Sequence, residues 1–107
     1  MKSVYWTPEA RTRLKDIQDY LINQHAPKAA KEVVAGLLSR VRQLEEVPLS
    51  GRQMPDYPND DLRELLEKPY RIIYRITEQQ IEILTVMHYR QLLPATVSAI
   101  HSANKNA

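Results

Sequence analysis

The chain has 107 residues, a formal net charge of +2 at pH 7 and 26% charged side chains. This length suits one domain with a single hydrophobic core, so we predict one domain over residues 1–107. The nearly balanced charge argues against non-specific nucleic-acid binding, and we expect the chain alone not to bind DNA directly.

Composition also excludes several kinds of site and location. The sequence has no cysteine, and its three histidines are scattered without ligand spacing. We therefore expect no disulfide, no metal site and no cofactor. The first residues lack the apolar stretch of a secretion signal, and no run approaches membrane-spanning length. This pattern indicates a cytoplasmic protein that does not enter a membrane.

Two helices are predicted in the first half of the chain, after a short strand. Residues 3–6 form an apolar and aromatic run compatible with an edge strand. Residues 7–9, Thr-Pro-Glu, mark a helix start, because threonine caps helices, proline suits the first helical position and an acid suits the first turn. This helix should end near residues 23–26, and the next should begin around Pro27. The short connection predicts an antiparallel helical hairpin.

The second helix has the clearest apolar pattern in the chain. Its apolar side chains recur at helical spacing as far as Val47 and Pro48, where the helix should end, and this spacing predicts a face buried in the core. The members of this stripe are Ala30, Val33, Val34, Leu37, Leu38, Val41 and Leu44. Gly36 costs about 1 kcal/mol relative to alanine in a helix, and we interpret it as a position of close packing.

The second half of the chain predicts a loop followed by a small sheet. Residues 48–61 contain three prolines and Gly51, which favour a loop. The expected strands span about residues 62–67, 70–77 and 81–89. Short turns between them predict an antiparallel meander. With a short helix over 95–102 and a frayed tail, the fold class is α+β, with an N-terminal strand, a helical hairpin and a three-stranded meander.

Alternation along the strands assigns each side chain to one of two faces of the sheet. The helical hairpin can cover only one face, so the other, called the second face below, should present a binding surface. Its predicted members are the apolar Ile73, Leu84 and Val86 and the basic Arg71, Arg75, His88 and Arg90. An apolar floor with a basic rim indicates a groove for a partner segment with acidic flanks, or for a phosphate-rich ligand.

Two structural explanations compete with such a groove. The C-terminal segment, with Val97 and Ile100, could fold over the apolar floor and form part of the core. The arginines could instead be structural residues, because cross-strand geometry allows carboxylates to pair with them. The carboxylates available on neighbouring strands are Glu64, Glu67 and Glu82. Both explanations stay open from the sequence alone.

Several short motifs follow one another along the chain in a recognisable order. They are WTPEARTRLKDI from residue 6, the Gly51-Arg52 pair, LREL at 62–65, YRIIYRI at 70–76 and ILTVMHYR at 83–90. In this order and spacing they resemble the RelE/ParE superfamily of bacterial toxins, over residues 6–94. The resemblance implies a toxin of a type II toxin–antitoxin pair. It also implies a small DNA-binding antitoxin whose C-terminal segment wraps the toxin and covers the sheet groove.

One branch of this superfamily, the RelE branch, implies an enzyme. Its members are ribosome-dependent mRNA endoribonucleases, which need arginines to hold the scissile phosphate and other groups to transfer protons. Arg71 and Arg90 match the arginine positions of that site. His88 would be the available acid or base, although a lone strand histidine is more often structural. A catalytic role under this alternative therefore falls on Arg71, His88 and Arg90.

The other branch, ParE, implies a poison of DNA gyrase that blocks replication. The lysines of the ribonuclease branch are replaced here by Leu62 and Glu64, and Thr96 stands near the position of its tyrosine. The motifs GR, LREL and VMHYRQLLP are closer to ParE, although Tyr89 stands where a glycine after the histidine is commoner. We therefore predict a ParE-like inhibitor of DNA gyrase that a cognate antitoxin neutralises.

The candidate binding residues follow from the second face and from the motifs. Residues predicted to contact the target or the antitoxin are Arg52, Arg63, Arg71, Ile73, Arg75, Leu84, Val86, His88 and Arg90. The expected partners are the antitoxin, over the sheet groove, and DNA gyrase. Ribosome and mRNA are the partners under the ribonuclease alternative, and a non-toxic protein that only binds antitoxin is the third hypothesis.

Overall fold

The computed structural model describes residues 2–54 and 61–90, which form a helical hairpin packed on one side of a five-stranded sheet. In chain order the elements are β1 (Ser3–Trp6), α1 (Pro8–Asn23), α2 (Pro27–Arg42), β2 (Arg52–Gln53), β3 (Leu62–Glu67), β4 (Tyr70–Ile76) and β5 (Gln80–His88). The α+β class is therefore confirmed. The helix and tail expected after residue 94 lie outside the described residues. Within the described part of the chain, no helix is long and apolar enough to span a bilayer.

The start of α1 is confirmed at the predicted residue. The Thr7 hydroxyl accepts a hydrogen bond from the Ala10 amide at 3.2 Å, and Pro8 occupies the first turn. The same hydroxyl donates to the Ile83 carbonyl at 2.7 Å. Thr7 thus caps the helix and also ties the helix start to β5.

The main hydrophobic core lies between the hairpin and the sheet. Its buried members are Ala10, Leu37, Val41, Leu44, Leu65, Ile72, Tyr74, Ile81, Ile83 and Val86. A Cβ at Gly36 would stand 3.3 Å from the carboxylate of Glu67 on β3. A side chain at Gly36 would require the Glu67 carboxylate to shift, and the interpretation of Gly36 as a position of close packing stays a prediction.

The apolar stripe of α2 is wider than the face that the core buries. The helix ends at Arg42 and continues as a 3₁₀ turn over Gln43–Glu45, earlier than predicted. Leu37 is fully buried, but its neighbour Leu38 is 42% exposed. Consecutive helical residues point about 100° apart, so only one of these two leucines can face the sheet. The prediction of a core position is wrong for Leu38.

The sheet has the order β1-β5-β4-β3-β2. Its central part, β3-β4-β5, is the predicted antiparallel meander. The strand β1 pairs in parallel with β5, so the sheet is mixed. The short strand β2 pairs antiparallel with β3 inside the segment that was predicted as a loop. This pairing continues beyond β2, where the Met54 amide donates to the Leu62 carbonyl at 2.9 Å.

A β-bulge in β5 changes which residues face the helices. Ile83 pairs with Tyr74, but Thr85 pairs with Ile73, so Leu84 is an extra residue in β5. A bulge of this kind reverses the alternation of every later residue in the strand. Thr7 contacts this point directly, because its hydroxyl also lies 3.2 Å from the Leu84 carbonyl.

The bulge corrects the predicted faces of two candidate residues. Val86 pairs with Ile72 and lies in the main core, so its assignment to the second face is wrong. His88 pairs with Tyr70, which also packs on the helix side, so its assignment is wrong for the same reason. Met87 lies on the second face, in the place predicted for its neighbours Val86 and His88.

Candidate functional site

The second face has an apolar floor that is already buried. The floor is a second apolar cluster, which consists of Met54, Leu62, Ile73 and Leu84, with Met87 packed against it. Ile73 and Leu62 are 0% exposed and Leu84 is 1% exposed. Ile73 and Leu84 therefore occupy the predicted face, but the expectation of an open apolar floor is wrong. The predicted cover by Val97 and Ile100 lies outside the described residues.

A buried carboxylate joins two of the candidate arginines on this face. Glu64 is only 5% exposed, and its Oε1 lies 3.0 Å from the Nε of Arg71. Its Oε2 pairs with the guanidinium of Arg52, which lies opposite it on β2. A carboxylate held away from water requires such partners, because an unpaired buried charge is strongly unfavourable. The structural explanation for Arg71, pairing with Glu64, is thus confirmed.

The two arginines of this triad differ in accessibility. The side chain of Arg52 is 70% exposed, whereas that of Arg71 is 15% exposed. Arg71 therefore lies beneath the surface as a partner of Glu64. Arg52 presents its guanidinium to solvent while one of its nitrogens faces Glu64. Accessible positive charge in the Arg52–Glu64–Arg71 triad lies mainly at Arg52.

A second ion pair lies at the other end of the strands. The Nη2 of Arg75 donates to Glu82 Oε1 at 2.8 Å, and both side chains are about three-quarters buried. Gln80 donates its side-chain amide to the other oxygen of Glu82 at 3.2 Å. The explanation that Glu82 pairs with a candidate arginine is confirmed for Arg75.

Arg63 points toward the helix-covered side of the sheet rather than the second face. It pairs with Tyr74 in the β3–β4 register, and its Nη1 donates to the Gly51 carbonyl at 2.9 Å. This bond holds the backbone just before β2. The structure therefore separates Arg63 from Arg52, Arg71 and Arg75.

The phenol of Tyr74 holds the same piece of backbone from within the core. Tyr74 is 0% exposed, its oxygen accepts from the Gly51 amide at 2.8 Å, and it donates to the Pro48 carbonyl at 2.7 Å. Burial raises the pKa of Tyr74, although the bond from Gly51 opposes this, so the phenol is neutral at pH 7 and can donate. The position of Gly51 has no room for a side chain, since a Cβ there would overlap this oxygen.

The last candidate residues form an aromatic and cationic cluster at the end of β5. The rings of His88 and Tyr89 stack with centroids 5.1 Å apart, and the His88 ring meets Tyr70 edge-on at 6.2 Å. The guanidinium of Arg90 lies 5.5 Å from the centre of the Tyr89 ring, and its Nε donates to the Tyr89 hydroxyl at 3.2 Å. Tyr89, which stands where a glycine is commoner, thus contacts both of its neighbours in the chain.

The three residues of the catalytic alternative do not share one surface. Arg71 pairs in register with Met87 on the second face. His88 pairs with Tyr70, whose ring packs on the helix side. The Nδ1 of His88 accepts from the Arg90 backbone amide at 3.2 Å. The histidine and the buried arginine are therefore displayed in opposite directions.

Sequence reasoning missed three features of this site. They are the hydrogen-bonding role of Tyr74, the strand β2 and the bulge in β5. A signal for the first existed, because a buried tyrosine hydroxyl needs a hydrogen-bond partner among otherwise aliphatic strand neighbours. The bulge at Leu84 left no signal in the alternating apolar run.

Comparison with known proteins places the chain in a family. The family described as "ParE toxin of type II toxin-antitoxin system, parDE" matches residues 4–93. The chain belongs to the ParE toxin family. It is a toxin of a ParDE-type toxin–antitoxin system, and such a system implies a cognate antitoxin as partner.

Two individual proteins agree with this assignment. Y4kP of Sinorhizobium fredii (strain NBRC 101917 / NGR234), a candidate toxin by its name, is 42% identical over 93 residues, covering 87% of this toxin and 94% of that protein. A solved structure described as the chromosomal ParDE TA system from P. aeruginosa superposes with a TM-score of 0.71 at 28% identity. It covers 82% of this toxin and 96% of that chain. The resemblance to ParE seen in the sequence is therefore confirmed.

Proposed function

We propose that this toxin acts in the cytoplasm by binding DNA gyrase and blocking replication, and that its cognate antitoxin neutralises it by covering the second face. The match to ParE toxins over residues 4–93 carries the proposal. This match agrees with the ParE-like motifs of the sequence, and those motifs imply gyrase as the target. The ParE branch also implies that the toxin acts by binding its target and not by catalysing a reaction.

The geometry of the candidate catalytic residues supports binding over RNA cleavage. A ribonuclease needs a free positive charge and a proton-transfer group that converge on one phosphate. Glu64 neutralises Arg71 at 3.0 Å, and His88 is displayed toward the helix side. A phosphate that approached Arg71 would have to displace a buried carboxylate, and it would still lie on the opposite face from His88.

The charge pattern of the second face supports an acidic antitoxin segment as its partner. Among the described residues of this face, the carboxylates of Glu64 and Glu82 are 5% and 20% exposed, whereas Arg52 is 70% exposed. The charge that these residues present to a partner is therefore mainly positive. Because the apolar floor is buried, recognition would begin at this charged surface, which sets the association rate and selects against basic partners.

The first experiment measures DNA supercoiling by purified gyrase in the presence of antitoxin-free toxin. We expect loss of supercoiling and trapped double-strand breaks, and reversal of both by prior addition of the cognate antitoxin. Unchanged gyrase activity with folded toxin at micromolar concentration would overturn gyrase as the target. The same preparation added to stalled ribosomes, with mRNA ends mapped, would then test cleavage of RNA.

A charge reversal tests the antitoxin surface separately. Arg52→Glu should weaken antitoxin binding, and Arg11→Glu is its control, because Arg11 is exposed on α1 and the net charge changes equally. Equal affinities of the two variants would show that only the overall charge matters. That result would remove the second face from the proposal.

A further inference from the structure

The exposed arginine of the triad is held by a strand of only two residues. The strand β2 consists of Arg52 and Gln53, and a strand this short contributes few ladder bonds of its own. Its position must therefore be fixed at its ends. The Met54 amide, bonded to the Leu62 carbonyl at 2.9 Å, fixes the end that leaves β2.

The end that enters β2 is fixed by a side chain from the core. The buried hydroxyl of Tyr74 bridges the Gly51 amide and the Pro48 carbonyl, at 2.8 and 2.7 Å. Arg63 holds the Gly51 carbonyl from the other side at 2.9 Å. Gly51 is directly followed by Arg52, so these bonds fix the backbone from which the Arg52 side chain extends.

We propose that Tyr74 is a positioning residue for Arg52, and that the exposed side of Arg52 receives a carboxylate from an acidic side chain of the cognate antitoxin. The proposal rests on the proposed antitoxin binding at the second face. In it, Glu64 orients one side of the guanidinium, and the side chain, 70% exposed, stays accessible to an incoming carboxylate. Tyr74 contributes to the affinity only through the position of Arg52.

A double-mutant cycle separates this role from simple packing in the core. The dissociation constant for purified cognate antitoxin would be measured by calorimetry for the toxin and for Arg52→Ala, Tyr74→Phe and the double variant. Loss of one charge-assisted hydrogen bond at Arg52 should weaken binding by about tenfold or more. Tyr74→Phe keeps the ring and removes the bridge, so it should weaken binding by about threefold to tenfold.

The decisive value is the effect of Tyr74→Phe in the Arg52→Ala background. We expect Tyr74→Phe to cause no further loss of affinity there. Neither substitution should restore the affinity lost through the other. An equal loss in both backgrounds would show that Tyr74 acts through general stability and would overturn the inference. Arg75→Ala is the matched control, since Arg75 is also ion-paired on the second face but lies away from Gly51. Tyr74→Phe and Arg75→Ala should give additive effects.

Two further measurements keep the test decisive. Amide hydrogen exchange at Gly51 and Met54 should accelerate in Tyr74→Phe, while exchange in α2 stays unchanged. If Tyr74→Phe does not fold, Arg63→Met removes the bond to the Gly51 carbonyl from outside the core and carries the same prediction. Absence of antitoxin binding by the unaltered toxin would overturn the proposed antitoxin site itself. Binding that does not depend on Arg52 would overturn this inference, both the contact at Arg52 and the positioning role of Tyr74, while antitoxin binding itself would stand.

Discussion

The two faces of this sheet are built from the same strands but reach stability in different ways. On the helix-covered face, apolar side chains from α1, α2 and the sheet fill one cluster. On the second face, a smaller apolar cluster lies beside a buried Arg–Glu–Arg triad and a second ion pair. The first face depends on shape and volume, whereas the second also depends on charge pairing. The described residues of the second face therefore present paired charges that a charged partner can distinguish.

The largest effect should come from truncating neighbouring isoleucines on opposite faces. Ile72 and Ile73 are both 0% exposed on β4, but Ile72 belongs to the larger core cluster and Ile73 to the smaller one. Ile72→Ala should lower the free energy of unfolding by about 3 to 5 kcal/mol, and Ile73→Ala by about 2 to 3 kcal/mol. Urea unfolding monitored by the fluorescence of Trp6 measures both. A larger loss at Ile73 would break the comparison and make the second face the dominant core.

Removing the negative charge from the triad should have the next largest effect. Glu64→Gln leaves Arg71 buried without its counter-charge, which should cost about 2 to 3 kcal/mol of unfolding free energy. The double variant Glu64→Gln with Arg71→Met removes the unpaired charge and should recover most of that loss. Urea midpoints of the three proteins measure this. No recovery in the double variant would show that Glu64 acts by packing and not as the counter-charge of Arg71.

The smallest effect should come from the residue that joins α1 to the bulge. Thr7→Ala removes the helix cap and the hydroxyl that donates to β5, at a cost of about 1 to 2 kcal/mol. Thr7→Ser keeps the hydroxyl and is the matched control, with an expected change below about 0.5 kcal/mol. Thermal unfolding of the two variants gives the difference. If serine is as destabilising as alanine, the methyl group and not the cap carries the contribution.

Local chemistry explains what the sequence could predict. The start of α1 was correct because a Thr-Pro pair determines a helix cap within a few residues. The meander was correct because short turns join alternating strands. The pairing of Arg71 with Glu64 was among the predicted alternatives, since residues on adjacent strands lie within reach of each other.

The features that were missed depend on partners distant in the sequence. The strand β2 exists because β3 accepts it, and two residues carry no periodic signal. Val86 and His88 were assigned to the wrong face because a bulge shifts alternation without changing composition. Leu38 fitted the helical stripe of α2, but it points about 100° away from the buried Leu37, and only one of the two can face the sheet.

The parallel pairing of β1 with β5 has a consequence for how the toxin is made. Ser3 pairs with Gln80, so the first strand finds its neighbour only when the last strand of the described sheet is available. The Thr7 cap has the same requirement, because its hydroxyl donates to Ile83. Contacts of such long sequence separation form late and slow folding. A nascent chain interrupted before β5 would lack the partner of its first strand, so neither that strand nor the Arg75–Glu82 pair between β4 and β5 could form until β5 has been synthesised.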